Sequence, residues 1–357
     1  MSLNGGDATP PMDAILIVSF GGPEGMEDVI PFLENVLRGK NVPRERLLEV
    51  AHHYELFGGV SPINDQNRAL IAALRSELDA AGIDLPIYWG NRNWFPTIPE
   101  ALRQMRDDGI RHALAYFTSA YSSYSGCRQY RENIAAAQAE VEGAPMVSVL
   151  RKFYNHPGFV ETNAEHVRAA YRQIPAERRN AAPLIFTAHS IPQSMAVNSL
   201  YVAQLRETCQ LVADAVDKPD RQLVYQSRSG PPSQPWLEPD ILDTLRSLRE
   251  SGVEDVVVMP IGFISDHMEV LYDLDTEARQ LCAEIGLNMV RAAAAGTHPR
   301  FVRMIRELIV ERMNPSQMRP FLGTRGPSHD VCPVNCCPPP MRPAAAMKAT
   351  TTGNVTS

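Results

Sequence analysis

Ala14-Ile-Leu-Ile-Val-Ser19, running straight into Phe20-Gly21-Gly22-Pro23, decides the fold class. The run is apolar without alternation, so it reads as a strand buried on both faces. Gly21, Gly22 and Pro23 form a tight turn, and a helix opens at about Met26. The same unit recurs down the chain. Apolar runs at 86–90, 112–118, 146–150, 184–188, 223–226, 255–259 and 288–292 are mostly separated by amphipathic helical stretches. One such helix, 100–107, has Thr97 as its N-cap and Gly109 as its stop. Alternating strands and helices predict an α/β chain of parallel sheets covered by helices on both sides.

A weak internal repeat divides the series. Arg103-Gln-Met-Arg-Asp-Asp-Gly109-Ile-Arg-His-Ala-Leu-Ala resembles Arg246-Ser-Leu-Arg-Glu-Ser-Gly252-Val-Glu-Asp-Val-Val-Val, an offset of 246 − 103 = 143 residues. Any helix–Gly–strand junction has a similar look, so duplication stays open at this level. Four βα units on each side predict an N-terminal domain at 12–150 and a C-terminal domain at 151–298. A last helix at 299–313 is expected to cross back to the first half. A cysteine-bearing extension at 314–337 and a disordered tail at 338–357, rich in Pro, Ala and Thr, complete the division.

Composition excludes several classes. The 357 residues suit about two domains. They are 44% hydrophobic and 21% charged, as in a globular enzyme rather than a disordered or coiled-coil chain. A net charge of −7 argues against a general nucleic-acid binder. No apolar run reaches the ~18 residues of a membrane span, and 1–12 lacks the pattern of a secretory signal. The cytoplasm is the expected compartment. Of six cysteines, Cys127, Cys209 and Cys282 are scattered, while Cys332, Cys336 and Cys337 crowd together. In a cytosolic chain such a cluster points to metal rather than to disulfides.

Ligands of open parallel sheets bind beyond the carboxyl ends of the strands. That selects the loops 20–25, 91–94, 119–127, 189–193, 227–236 and 261–269. The Gly21–Gly25 loop fits neither phosphate-binding pattern, and Glu24 would repel a phosphate. Leu184-Ile-Phe-Thr-Ala-His189-Ser-Ile-Pro192 ends a strand on a histidine, a proton acceptor or metal ligand near neutral pH. Pro260-Ile-Gly-Phe-Ile-Ser-Asp266-His267-Met-Glu269 follows another strand and opens a helix. Glu269, Asp273 and Glu277 then recur every fourth residue on one helical face. A solvated acidic face is the ordinary reading of such a stripe. Its start at a strand end, with Asp266 and His267 at its head, suits a divalent ion of intermediate hardness such as Fe²⁺.

FTAHSIP and PIGFISDHMEVLYDLD resemble the two signature stretches of the ferrochelatases, and Tyr225-Gln-Ser-Arg-Ser-Gly-Pro-Pro-Ser-Gln-Pro-Trp236-Leu-Glu-Pro resembles a third. Phe20-Gly-Gly-Pro-Glu and Gly58-Gly-Val-Ser61-Pro-Ile-Asn are similar to the family near its N-terminus, and the resemblance spans about 12–313. It implies two Rossmann-like domains with a porphyrin cleft between them, and a lyase of haem biosynthesis that inserts Fe²⁺ into a free-base porphyrin. Two pyrrole protons must leave as the ion sheds its waters. The resemblance gives that task to His189 and Glu269, with Asp273 and Glu277 carrying metal inward or protons outward. Phe20 stands where some relatives place a Tyr that can ligate metal, and a phenyl ring cannot. Packing on the macrocycle is its expected role. The hydroxyl-rich loop with Tyr121, Ser123 and Tyr124 suits a flat ligand with carboxylate tails. Trp236 is a candidate for the same cleft, or for the core.

Some ferrochelatases hold a [2Fe–2S] cluster with three C-terminal cysteines and one internal cysteine. The resemblance therefore implies a cluster on Cys332, Cys336 and Cys337, with Cys127, in a loop, as the fourth ligand; Cys209 and Cys282 lie in helices. Zinc fits the same thiolates, and an unligated extension is the further alternative. Arg38, Lys40, Arg44 and Arg46 form a local basic run in an acidic chain. Leu37-Arg38-Gly39-Lys40 resembles the RRGR-like stretch of relatives that use coproporphyrin. The expected partners are coproporphyrin III, with Arg38 and Ser61 among its contacts, Fe²⁺, and transiently the neighbouring enzymes of haem synthesis. Protoporphyrin IX as substrate, a cobalt or nickel chelatase, and a non-catalytic porphyrin or iron–sulfur carrier are the rivals.

Overall fold

The computed structural model describes residues 11–39, 42–230 and 233–339. Lys40, nearly all of the tail expected to be disordered (340–357) and the first ten residues lie outside them. Eight strands form two parallel four-stranded sheets. The first contains β1 (Ala14–Ser19), β2 (Ile87–Asn91), β3 (His112–Phe117) and β4 (Met146–Val149) in the order β2-β1-β3-β4. The second contains β5 (Leu184–His189), β6 (Arg221–Gln226), β7 (Asp255–Met259) and β8 (Asn288–Arg291) in the order β6-β5-β7-β8. Every strand lies within two residues of its place in the sequence reading.

The two orders are the same, and the correspondence extends into the helices. Helix Ile98–Asp107 is capped by Thr97, which forms a capping box with Glu100, and helix Ile241–Glu250 is capped by Asp240. His156 and His298 each cap a helix beginning with proline, in His-Pro-Gly-Phe-Val and His-Pro-Arg-Phe-Val. These two helices, Pro157–Tyr171 and Pro299–Met313, pack on each other. Each also reaches out of its own half. Pro157–Tyr171, which follows β4, lies on β7 and β8, and Pro299–Met313, which follows β8, lies on helix Ile63–Ala80. The shared topology and exchanged helices favour the duplication that the weak repeat left open.

Alternation along the buried strands explains how the halves join. Ile15 and Ile17 face the same hydrophobic core as Leu184, Phe186, Val257 and Met259. Ala14, Leu16 and Val18 face the helices of the first half, and Ile185, Val256 and Val258 face those of the second. One continuous core therefore spans both sheets. Polar bonds add register: Tyr121 donates its hydroxyl to the Ile261 carbonyl at 2.9 Å. The Gln204 amide accepts from the Ser122 backbone at 2.7 Å and donates to its hydroxyl at 3.0 Å.

Candidate functional site

The second sheet brings His189 and Glu269 together. His189 is the last residue of β5, and β7, which pairs beside it, leads into the Pro260–Asp266 loop. Gly262 lets that loop close on the strand, because a Cβ there would stand 2.6 Å from the Ala188 Cα. The Gly262 N–H then donates to the Thr187 carbonyl at 3.0 Å. His267 caps the following turn, its Nδ1 accepting from the Glu269 N–H at 3.2 Å. It therefore orients Glu269 from the head of the acidic row where the sequence placed it. Asp266 is likewise engaged, pairing with Arg291 at 2.9 Å, and Arg291 also holds Asp275 at 2.8 Å.

His189 Nε2 lies 3.5 Å from Glu269 Oε1, while Nδ1 bonds the Ser190 carbonyl at 2.5 Å. The side chains are 31% and 46% exposed, so a pair surrounded by protein remains reachable from solvent. Burial opposes the imidazolium, but the Glu269 carboxylate outweighs it and raises His189 to about 9. Burial opposes the carboxylate too, and the His189 charge prevails, holding Glu269 near 2. The resting pair is thus an imidazolium and a carboxylate.

Glu269, Asp273 and Glu277 follow one another as expected, but on a helix that widens to π geometry over Leu271–Ala278. Such turns are rare and frequent at functional sites. Asp273 is raised to about 7, first by burial and then by Glu269 and Glu277, despite the hydrogen bond from the Ser227 hydroxyl. Gln226 donates to Asp273 Oδ2 at 3.2 Å and to the Glu269 carbonyl at 3.1 Å. Ser227 reaches its carboxylate from a left-handed backbone with φ of 60°, a costly setting for a residue with a Cβ. Burial raises Glu277 as well. A row in which Glu269 stays ionised, Asp273 holds a proton near neutrality and burial raises Glu277 can, beginning at an imidazole, bind a divalent ion and exchange protons with it.

The remaining candidates separate. Phe20 packs edge-on against Phe32 at 6.2 Å, with the Arg92 guanidinium 5.8 Å from its ring. Arg92 also lies 5.9 Å from the Tyr130 ring, and among the described residues no carboxylate pairs with it. Sequence pattern did not single it out beyond its strand-end loop. Tyr124 donates to Glu132 at 3.0 Å and stands near Arg92. Arg38 is exposed and bonds Asn35 at 2.5 Å. Ser61 is buried beneath Gly22. Tyr121 is 1% exposed with its hydroxyl spent on Ile261, so the structure places it in the core between the sheets and leaves it no atom for a ligand. Ser123 is likewise buried, its hydroxyl capping the turn Tyr124–Arg128. Trp236 packs against Gly230, which would clash with its ring if it carried a Cβ.

The cysteines form a second constellation. Cys127 and Cys337 are buried and share a hydrogen bond. Cys336 and Cys337 lie 3.6 Å apart, and Cys332 is hydrogen-bonded to Cys336. Cys209 and Cys282 are buried elsewhere, in the helices expected for them. The contact with Cys337 draws Cys127 well below the ordinary thiol range, with help from Lys152, while the same contact pushes Cys337 up. Arg128 ties the extension down through the Val334 and Cys336 carbonyls at 3.2 and 3.3 Å. His329 stands with Cys332 and Cys336, their ligand atoms within 4.8 Å of one another. Its place three residues before Cys332 was the available sequence signal.

Two parallel four-stranded sheets of one strand order, with an imidazole–carboxylate pair beyond the carboxyl ends of the second, have the fold of the chelatases. SirB from Bacillus subtilis, solved with Fe³⁺, has this fold, with a TM-score of 0.51 at 13% identity over 84% of this chain and 97% of that one. The family model for ferrochelatase matches residues 12–313. A ferrochelatase of Rhodopirellula baltica is 61% identical over 94% of this chain and 97% of its own length. A coproporphyrin III ferrochelatase of Streptomyces coelicolor is 53% identical over 95% and 97%. The chain belongs to the ferrochelatase family, lyases that insert iron into a porphyrin. Among the described residues no helix is long and apolar enough to cross a membrane.

Proposed function

We propose that this chain inserts Fe²⁺ into coproporphyrin III, with His189 and Glu269 at the reacting face. The observation that carries the reading is their 3.5 Å approach at the carboxyl ends of adjoining strands. His189, once neutral, accepts a pyrrole proton, and Glu269 stabilises the imidazolium that results. Asp273 and Glu277 continue the acidic row away from this pair, through which protons leave or the ion arrives. Support for coproporphyrin comes from relatives of that name at 53% identity. The exposed Arg38, and Arg92 with no carboxylate partner among the described residues, further favour a ligand with four propionates over one with two. Anaerobic insertion assays with coproporphyrin III, protoporphyrin IX and several divalent ions decide the matter. The expected result is a higher kcat/KM for coproporphyrin with Fe²⁺, and weaker coproporphyrin binding in Arg38→Ala. Preference for protoporphyrin, or for cobalt or nickel, overturns the substrate assignment. Porphyrin binding without insertion overturns the enzyme.

The contiguous thiols of Cys127, Cys332, Cys336 and Cys337 fit a [2Fe–2S] cluster, whose iron atoms take thiolate ligands. When bound, it supplies a one-electron couple. A coloured, iron-containing protein supports this reading, whereas a colourless protein with one zinc replaces it.

A further inference from the structure

Lys152 is 8% exposed, at the edge of the first sheet just beyond β4. Its ammonium donates to the Ser119 carbonyl at 2.8 Å and the Gly126 carbonyl at 2.9 Å, and lies 5.3 Å from the Phe117 ring. These contacts orient the charge but do not neutralise it. A buried ammonium without an anion is costly. Among the described residues no carboxylate pairs with it; burial, and to a lesser degree Arg131, oppose its charge, and the groups that favour it are Cys127, Cys332 and Cys337. Gly126, which accepts one of its hydrogen bonds, immediately precedes Cys127. Lys152, Cys127 and Cys332 also line one cavity of about 230 Å³, together with Arg131 and Arg312. Sequence pattern gave Lys152 no role, and the acidic row beside His189 does not use it.

We infer that Lys152 is the fixed counter-cation of a thiolate-bound iron–sulfur cluster, holding its reduction potential up and its ligands in place. The inference rests on the cluster reading above. Four thiolates around two ferric ions and two sulfides carry a net negative charge, and reduction adds one more. A positive charge on the wall of the same buried cavity stabilises the reduced form more than the oxidised form. The two carbonyl contacts fix that charge at no cost of reorganisation when the electron arrives. Loss of outer groups of this kind typically costs about 10–100-fold in metal affinity or activity.

The test compares Lys152→Met and Lys152→Arg with wild type in the full-length purified protein. Iron and sulfide content, visible absorption and the potential from an EPR-monitored redox titration are measured. The expected result for Lys152→Met is a lower potential, with the reduced-to-oxidised ratio at fixed poise falling about tenfold, equivalent to 59 mV for one electron. Its cluster is also expected to bleach faster in the presence of a chelator. Lys152→Arg should keep most of the wild-type potential. If Lys152→Met purifies without a cluster while Lys152→Arg retains one, the requirement for charge is supported by retention alone. An unchanged potential in a cluster-containing Lys152→Met overturns the inference and leaves the cluster standing. Loss of the cluster in both variants also overturns it, since shape rather than charge is then required. A wild-type protein without an iron–sulfur spectrum removes the cluster reading and this inference with it.

Discussion

His189 Nε2 stands 3.5 Å from Glu269 Oε1, although the two residues are far apart in the chain. Parallel pairing of β5 with β7 brings them together, since it places both strand ends on one edge of the sheet. The pair sets an expectation for pH. His189 is raised from 6.5 to about 9, so its contribution to stability is complete below 6.5 and lost as pH rises through about 9. Glu269 is lowered from 4.5 to about 2, so its contribution is complete above 4.5 and lost as pH falls through about 2. The Tm deficit of Glu269→Gln should therefore be greatest between pH 4.5 and 6.5 and fade above 9. Proton acceptance requires neutral His189, so kcat should climb from neutrality towards pH 9. Glu269→Gln should move that limb to lower pH, and His189→Ala should cost about 10²–10⁴-fold in kcat. A deficit independent of pH contradicts the ion pair.

Asp273 has the opposite sign. Its carboxyl is raised from 3.8 to about 7, so folding is penalised progressively over that interval and by a constant amount above it. Asp273→Asn should therefore raise Tm by a few degrees at pH 8 and change it little at pH 3.5. The same substitution should lower kcat, as expected where a site holds charge at the expense of stability. Parallel melting curves at the two pH values decide the sign, and destabilisation at pH 8 rules out the assignment.

The β-strands were legible because burial on both faces leaves an unbroken apolar run, and Thr97 and Gly109 punctuate a helix by local chemistry alone. His189 was legible at a strand end and Glu269 on the helix that follows a strand, and the resemblance to the ferrochelatases supplied the roles expected of them. What the sequence hid depends on where other segments pass. Tyr121 has the polar tip of a ligand contact, but Ile261 from the other half takes its hydroxyl. His267 stands at the head of the acidic row, but that its Nδ1 caps the turn carrying Glu269 has no sequence signature. Lys152 and Arg92 sit in no motif, and their isolation from carboxylates is a property of the packed chain. The π turn beneath Asp273 leaves the four-residue spacing unchanged and so has no signature in it.

The extension is fastened through a buried charge network. Arg151 and Glu311 pair at 2.7 Å with side chains 1% and 5% exposed, and Arg319 from the extension joins Glu311 at 3.0 Å. Arg151 also donates to the Pro320 carbonyl at 2.8 Å. Removing Arg151 leaves the buried Glu311 carboxylate with only the partly exposed Arg319, a loss of about 2–4 kcal/mol against about 3–5 for a fully broken buried pair. Arg151→Met should lower stability by about 2–4 kcal/mol in denaturant titrations and expose 316–337 to proteolysis. A loss of ~1 kcal/mol or less, with the extension still protected, shows that the network relaxes around the gap.

The last prediction separates the sulfur ligands from their imidazole neighbour. His329 is close enough to Cys332 and Cys336 to compete for a metal ion. A [2Fe–2S] centre with four thiolates needs all of Cys127, Cys332, Cys336 and Cys337, whereas a mononuclear ion on Cys332, Cys336 and His329 needs neither Cys127 nor Cys337. Cys127→Ser and Cys337→Ser should each abolish the visible absorption and the sulfide content, because each removes a ligand. His329→Ala should leave both in place. Cys209→Ser, altering a thiol buried in helix Tyr201–Ala215, should likewise leave the spectrum intact. Without the cluster the extension keeps its polar contacts and the packing of Leu322 but loses its covalent fastening to the body, so the two ligand variants should also melt earlier. Colour retained in Cys127→Ser removes that residue from the ligand set. Colour lost in His329→Ala, with Cys127→Ser unaffected, moves the fourth ligand to the imidazole.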